Sequence, residues 1–132
     1  MVTKVNHYLT KNNPNVVQQS CSTASSSLSG DWRNIVCFVA DDEEYNDFLN
    51  SSEFLATYVD TTYNDYNIDK IYCDAYMQQT GAGGQRYPDV NDAINKRVDK
   101  GALIINYIGH GGEVGWALER ILQISDLSLI HI

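Results

Sequence analysis

Apolar runs that stop abruptly at an acid or a histidine constrain this chain more than any other feature. Residues 35–39, Ile-Val-Cys-Phe-Val, run into Asp41-Asp42. A continuous apolar run of this length suits a strand covered on both faces, as in parallel sheets. Residues 68–73 predict a second strand, followed by Asp74, and residues 102–108 a third and more apolar one, followed by Gly109-His110. The segments between them read as helices. Phe54, Leu55, Tyr58 and Val59 share one helical face, with Asn50 or Ser51 as its cap. Pro88 and Asp89 open a second helix bearing Val90, Ala93, Ile94 and Val98, which Gly101 closes. Val114, Ala117, Leu118, Ile121 and Leu122 predict a third. The order β-α-β-α-β-α, with right-handed crossovers, predicts an α/β fold with a mainly parallel sheet and helices on its faces. Three strands are few for such a sheet, so an incomplete one is expected, with its remainder outside the chain.

The 132 residues suffice for one domain. Residues 1–10 read as the end of a helix or strand. Residues 11–30 are rich in Ser and Asn and read as a linker. The ordered domain is therefore expected over 31–126. Residues 127–132 break the helical pattern and read as a non-native tail, so His131 is given no role. No apolar run approaches the roughly 20 residues of a membrane helix, and the N-terminus lacks the apolar core of a secretion signal. Nine Lys and Arg against seventeen Asp and Glu give a net charge of −8. That balance argues against nucleic acid and anionic membranes as partners and is compatible with cation binding.

In open parallel α/β sheets, ligands bind beyond the carboxyl ends of the strands. The three predicted strands deliver Asp41 and Asp42, Asp74, and His110 to that edge. His110 is the sharpest signal. It follows a buried strand directly and sits between Gly109 and Gly111-Gly112, which allow a tight turn and close approach of a substrate. A histidine so placed can act as a general acid or base near neutral pH. The Gly111 N–H, one residue on, is in position to face a developing oxyanion. The simpler reading of His110 is a turn residue at a helix start.

The run Asp41-Asp42-Glu43-Glu44 has its own simple reading, a helix N-terminus favoured by the dipole. Its alternatives are orientation of the histidine, recognition of a cationic substrate, or Ca²⁺ binding. Calcium needs six to eight oxygens, and no such set is assignable from the sequence. Gly81-Ala82-Gly83-Gly84 lacks the Gly-Lys-Ser/Thr of a phosphate-binding loop and reads as a flexible loop. Cys37 and Cys73 read as small buried hydrophobes, and Cys21 has no fixed base beside it. Three cysteines do not suggest a disulfide framework.

Asn106-Tyr107-Ile108-Gly109-His110-Gly111-Gly112-Glu113, followed by Gly115-Trp116-Ala117 and Glu119-Arg120, resembles the histidine motif of gingipain-family cysteine peptidases (family C25). Gly30-Asp31-Trp32-Arg33-Asn34, Phe38-Val39-Ala40-Asp41-Asp42, Asp74-Ala75-Tyr76 and Gly84-Gln85-Arg86-Tyr87-Pro88 resemble the same family, in the same order. The combination is most similar to its PorU-like sortase subgroup, of the type IX secretion system of Bacteroidetes, over about residues 30–124.

The resemblance implies a caspase-like three-layer α/β sandwich and a Cys-His mechanism without a required cofactor, Ca²⁺ being an optional ligand. His110 matches the catalytic histidine, and Gly111 would supply an oxyanion-hole N–H. Asp41, Asp42, Asp74 and Glu113 are the candidate acids for orienting His110 or for binding substrate or metal. The family's nucleophilic cysteine follows the next strand, which none of the three cysteines here does. The fragment alone is therefore expected to be inactive.

The sortase likeness implies removal of C-terminal secretion signals from cargo, attachment of cargo to surface lipopolysaccharide, and work beside other secretion proteins on the outer face of the outer membrane. The alternatives are a non-catalytic scaffold of the same fold and an unrelated nucleotide-binding α/β domain.

Overall fold

The structure, a computed structural model, describes residues 31–128. The expectations for 1–30 and for 129–132 fall outside the described residues. Leu127 and Ser128 belong to a single 3₁₀ turn, Asp126–Ser128.

The elements in order are β1 (Ile35–Ala40), α1 (Asp47–Thr62), β2 (Asn67–Tyr72), β3 (Gln79–Gly81), β4 (Gly84–Arg86), α2 (Pro88–Lys100), β5 (Ile104–Ile108), β6 (Gly111–Gly112), β7 (Gly115–Trp116) and β8 (Leu122–Gln123). The main sheet has the order β2-β1-β5 and is parallel throughout. Its register sets Ala40 opposite both Tyr72 and Ile108. The three strands therefore end level, and the residues that follow them emerge along one edge.

Side chains alternate across β1 as the strand period requires. Cys37 and Val39 face a core cluster containing Val90 and Ile94 of α2, while Val36 and Phe38 face Ala56 of α1. A helix thus covers each face of the sheet, giving three layers. Val39, Val90 and Ile94 are 0–1% exposed, and each such burial contributes about 1.5–3 kcal/mol.

The end of α2 shows how the sequence directs this packing. Pro88 fits the first turn, where its missing N–H is not needed. At the other end Gly101 has φ 85°, and its N–H donates to the carbonyls of Arg97 and Val98. A Cβ at Gly101 would lie 2.8 Å from Trp32 Cβ, so glycine is required twice over. Arg97 Nε pairs with Asp69 Oδ2 at 2.6 Å and ties α2 to β2.

Three expectations are corrected. The sheet structure is not mainly parallel: three strands form the parallel sheet, while β3-β4 and β6-β7-β8 are antiparallel. The third helix is absent; residues 111–123 form the small antiparallel sheet instead. Ala117 and Arg120 take left-handed backbone (φ 57° and 58°), and the segment's glycines favour turns over a helical nucleus.

The first helix starts at Asp47, so Asn50 and Ser51 lie inside its first turn and cap nothing. It buries Ser52 and Ala56, and leaves Phe54 (71% exposed) and Tyr58 (52%) outside. Small residues let this helix approach the sheet closely.

Candidate active site

The site forms where β1 and β5 end side by side. α1 leaves β1 over one face of the sheet, while α2 reaches β5 over the other. The loops after these two neighbouring strands emerge side by side at the carboxyl edge, where ligands settle in such sheets. The loop after β1 carries the acids, and the loop after β5 carries His110.

Asp41 is the pivot. It is fully buried, and its own N–H donates to the Ile108 carbonyl at 3.1 Å, extending the β1–β5 ladder by one step. Its Oδ1 accepts from the Asp42 N–H at 3.0 Å. Its Oδ2 accepts from the His110 N–H at 3.0 Å and faces His110 Nδ1 at 3.3 Å. One carboxylate therefore fixes both the backbone and the ring of His110. The tautomer that donates from Nδ1 to Asp41 would leave the Nε2 lone pair to accept a proton.

Glu43 Oε2 also lies 3.3 Å from Nδ1, and Glu44 Oε1 lies 3.7 Å from Nε2. These two acids sit at a backbone kink. Glu44, Tyr45 and Asn46 are consecutive non-glycine residues with φ of 57°, 53° and 71°. Such conformations cost on the order of 1 kcal/mol each and persist where the surroundings hold them. Here they bring Phe48 edge-on to His110, with centroids 5.0 Å apart.

The other side of the loop is held by β5 and β7. Tyr107 donates its hydroxyl to the His110 carbonyl at 2.6 Å, and the Ala117 N–H donates to the same oxygen at 2.8 Å. Tyr107 stacks flat on Trp116, 4.4 Å between centroids and 4° between planes. Gly109 passes so close to Asp41 Cβ and the Tyr107 hydroxyl that any Cβ would overlap both.

His110 is 38% exposed at its side chain and borders a hollow of about 170 Å³, lined by Val114, Ala117, Leu118 and Arg120. A larger groove of about 700 Å³ adjoins Gly111, Gly112 and Trp116.

The predicted acids part company. Asp41 reaches His110. Asp42 accepts from the Tyr87 hydroxyl at 2.6 Å, and burial followed by this bond pushes the Tyr87 phenol up. Asp74 is exposed in the turn after β2, where partial desolvation and then Asp42 hold its carboxyl above the usual range. Glu113 is exposed beside the larger groove. Among the described residues, neither Asp74 nor Glu113 has a hydrogen bond or ion pair to His110. Gly111 has open space around it, in β6.

Glu43 and Glu44 stand in the acidic run seen in the sequence, but nothing there ranked them beside the ring. Glu119 and Tyr87 fall in segments that carry the family resemblance, which assigns them no role, and Phe48 has no local sequence signal.

Neither described cysteine is poised to react. Cys37 and Cys73 are fully buried and free. Burial first, then Asp69, pushes the Cys37 thiol up to about 12; burial and then Asp42 push Cys73 up as well. Thiolate chemistry needs the opposite shift. Asp41, Asp42 and Cys73 offer ligand atoms within 4.8 Å of one another. Two carboxylates and a thiol do not meet the all-oxygen, six-to-eight-ligand demand of Ca²⁺, so the calcium expectation finds no support in this set.

A buried carboxylate thus holds a part-exposed histidine at the carboxyl edge of a three-layer α/β domain. The chain belongs to peptidase family C25, which it matches over residues 2–131. No curated protein and no solved structure gave a significant match.

Proposed function

We propose that this chain is the histidine-bearing part of a cysteine peptidase of the gingipain type, acting as a PorU-like sortase that removes C-terminal secretion signals from type IX cargo. The observation that carries the reading is the Asp41–His110 pair at the carboxyl edge of the sheet, in a chain of family C25.

In this reading a cysteine outside the chain supplies the thiolate, since Cys37 and Cys73 are buried with raised thiols. The thiolate attacks the scissile carbonyl and leaves a negative charge on its oxygen. The Gly111 N–H is proposed as one donor to that oxygen. Collapse breaks the C–N bond, and His110 gives the proton on Nε2 to the departing amine. Asp41 keeps the ring in orientation from Nδ1. The thioester then passes to an amine of the surface acceptor in transfer, or to water in hydrolysis. No metal enters these steps.

The partners in this reading are the cargo peptide and the other secretion proteins, at the outer face of the outer membrane. No helix among the described residues is long and apolar enough to cross a membrane. The alternative is a non-catalytic binding module of the same fold.

The test uses the full-length source protein and a peptide spanning a cargo's signal junction. Cleavage is expected, with the nucleophilic thiolate trapped covalently by an electrophilic peptide, and His110→Ala should abolish both. Cleavage unchanged in a folded His110→Ala protein sinks the mechanism. Binding without cleavage or trapping points to the scaffold.

A further inference from the structure

Asp41 belongs to a second cluster that the histidine does not explain. Carboxylate oxygens of Asp41 and Asp42 and the Cys73 sulfur lie within 4.8 Å of one another, where β1 and β2 end level. Asp41 and Cys73 are fully buried. Tyr87 occupies Asp42 Oδ2, but Asp42 Oδ1 is buried with no hydrogen-bond partner. Glu119 adds an independent observation. It is 4% exposed, its Oε2 has no hydrogen-bond partner, and burial followed by the charges of Asp42 and Asp41 holds its carboxyl above the usual range. This buried, unsatisfied carboxylate lies near enough to feel the charges of both aspartates.

Like charges gathered in a low-dielectric interior repel, and each unsatisfied oxygen costs its lost hydration. A bound cation reverses the sign of both effects. The donor set selects which cation. A thiolate with carboxylates suits Zn²⁺ and its thiophilic neighbours, whereas Mg²⁺ and Ca²⁺ favour oxygen alone. Zn–S and Zn–O bonds of about 2.3 and 2.1 Å place tetrahedral donors about 3.5 Å apart. The three ligand atoms already lie within 4.8 Å of one another.

We propose that Asp41, Asp42 and Cys73, beside the buried Glu119, form a binding site for a thiophilic divalent cation of the Zn²⁺ class. Binding exchanges the thiol proton for the metal and releases that proton to solvent, with no change of oxidation state. Cys73 is then a ligand and not a spare core residue. Asp41 is shared between this site and His110, so the metal sits one carboxylate away from the histidine.

The experiment titrates the whole chain, carrying Cys21→Ser to remove the cysteine outside the described residues. Zn²⁺ is followed by calorimetry and Cd²⁺ by the ultraviolet thiolate-to-metal absorption. One equivalent of Zn²⁺ is expected, with a Cd²⁺–thiolate band that Cys73→Ser removes. Asp42→Asn keeps the thiol and should weaken Zn²⁺ at least tenfold, so the test stands even where Cys73→Ser does not fold. Absence of Zn²⁺ binding overturns the proposal. So does Zn²⁺ affinity unchanged in Asp42→Asn, or a site that takes Ca²⁺ in preference to Zn²⁺. None of these readouts involves peptidase activity, so this site and the proposed function fail separately.

Discussion

Oδ2 of Asp41 meets His110 twice, at the backbone N–H (3.0 Å) and at Nδ1 (3.3 Å). One atom of a fully buried side chain, 69 residues away in the chain, thus holds the loop and, together with Glu43, faces the ring at Nδ1. Asp41→Ala removes the acceptor for two backbone N–H groups, those of Asp42 and His110. It should cost about 3 kcal/mol of stability. Asp41→Asn keeps a carbonyl acceptor and should cost clearly less. Urea unfolding at neutral pH measures both, and an Asp41→Ala protein as stable as the parent contradicts this account.

Two glycines flank the same histidine with opposite requirements. A Cβ at Gly109 would overlap Asp41 and Tyr107, whereas one at Gly111 meets nothing within 4 Å. Gly109→Ala should destabilise by about 2–3 kcal/mol, because the strain falls on the groups that position His110. Gly111→Ala should stay within about 0.5 kcal/mol. Equal losses in the two variants would show that the loop, and not its contacts, sets the glycine requirement.

Local signals in the sequence carried the frame and missed the details that depend on distant partners. Pro88 and Gly101 bracket α2 as read, because both act through backbone geometry alone. β1 was legible because its burial is nearly continuous. The α1 face was legible only in part: Val59 packs on the sheet side as read, but apolar spacing also favoured Phe54 and Tyr58 while close packing selected Ser52 and Ala56. The spacing of Val114, Ala117, Leu118, Ile121 and Leu122 mimics a helix. Gly115 instead runs against the Leu122 carbonyl so closely that no Cβ fits, which the apolar pattern alone does not reveal. In the site, the strand-end rule delivered Asp41 and His110 to one edge. Choosing among Asp41, Asp42, Asp74 and Glu113 required the register that levels β1 with β5.

Tyr107 is expected to matter to the loop more than to the core. Its hydroxyl donates to the His110 carbonyl at 2.6 Å, and its ring stays stacked on Trp116 in a phenylalanine variant. Tyr107→Phe should cost about 1 kcal/mol. The amides of residues 110–112 should exchange faster with solvent deuterium, while those of β1 keep their protection. Uniformly faster exchange would place the hydroxyl's role in global stability.

Glu119 makes stability depend on pH with a definite sign. Burial, then Asp42 and Asp41, raises its folded-state carboxyl above the ordinary value of 4.5. Well below that value the group is protonated whether folded or unfolded and contributes nothing. As pH rises through 4.5, the unfolded chain ionises freely while the folded chain resists. This group's contribution therefore falls until the folded carboxyl itself ionises, and then stays level. Glu119→Gln removes that slope and preserves the shape of the side chain. In chelator, at pH 7–8, the variant should be more stable by about 1 kcal/mol, a rise in Tm of about 4–8 °C for a domain of this size. Near pH 3 the two proteins should melt together. A gain of the same size at both pH values would trace it to packing or propensity. A loss at pH 8 would mean that the charge of Glu119 is already compensated in the folded chain, and the slope argued here would vanish with it.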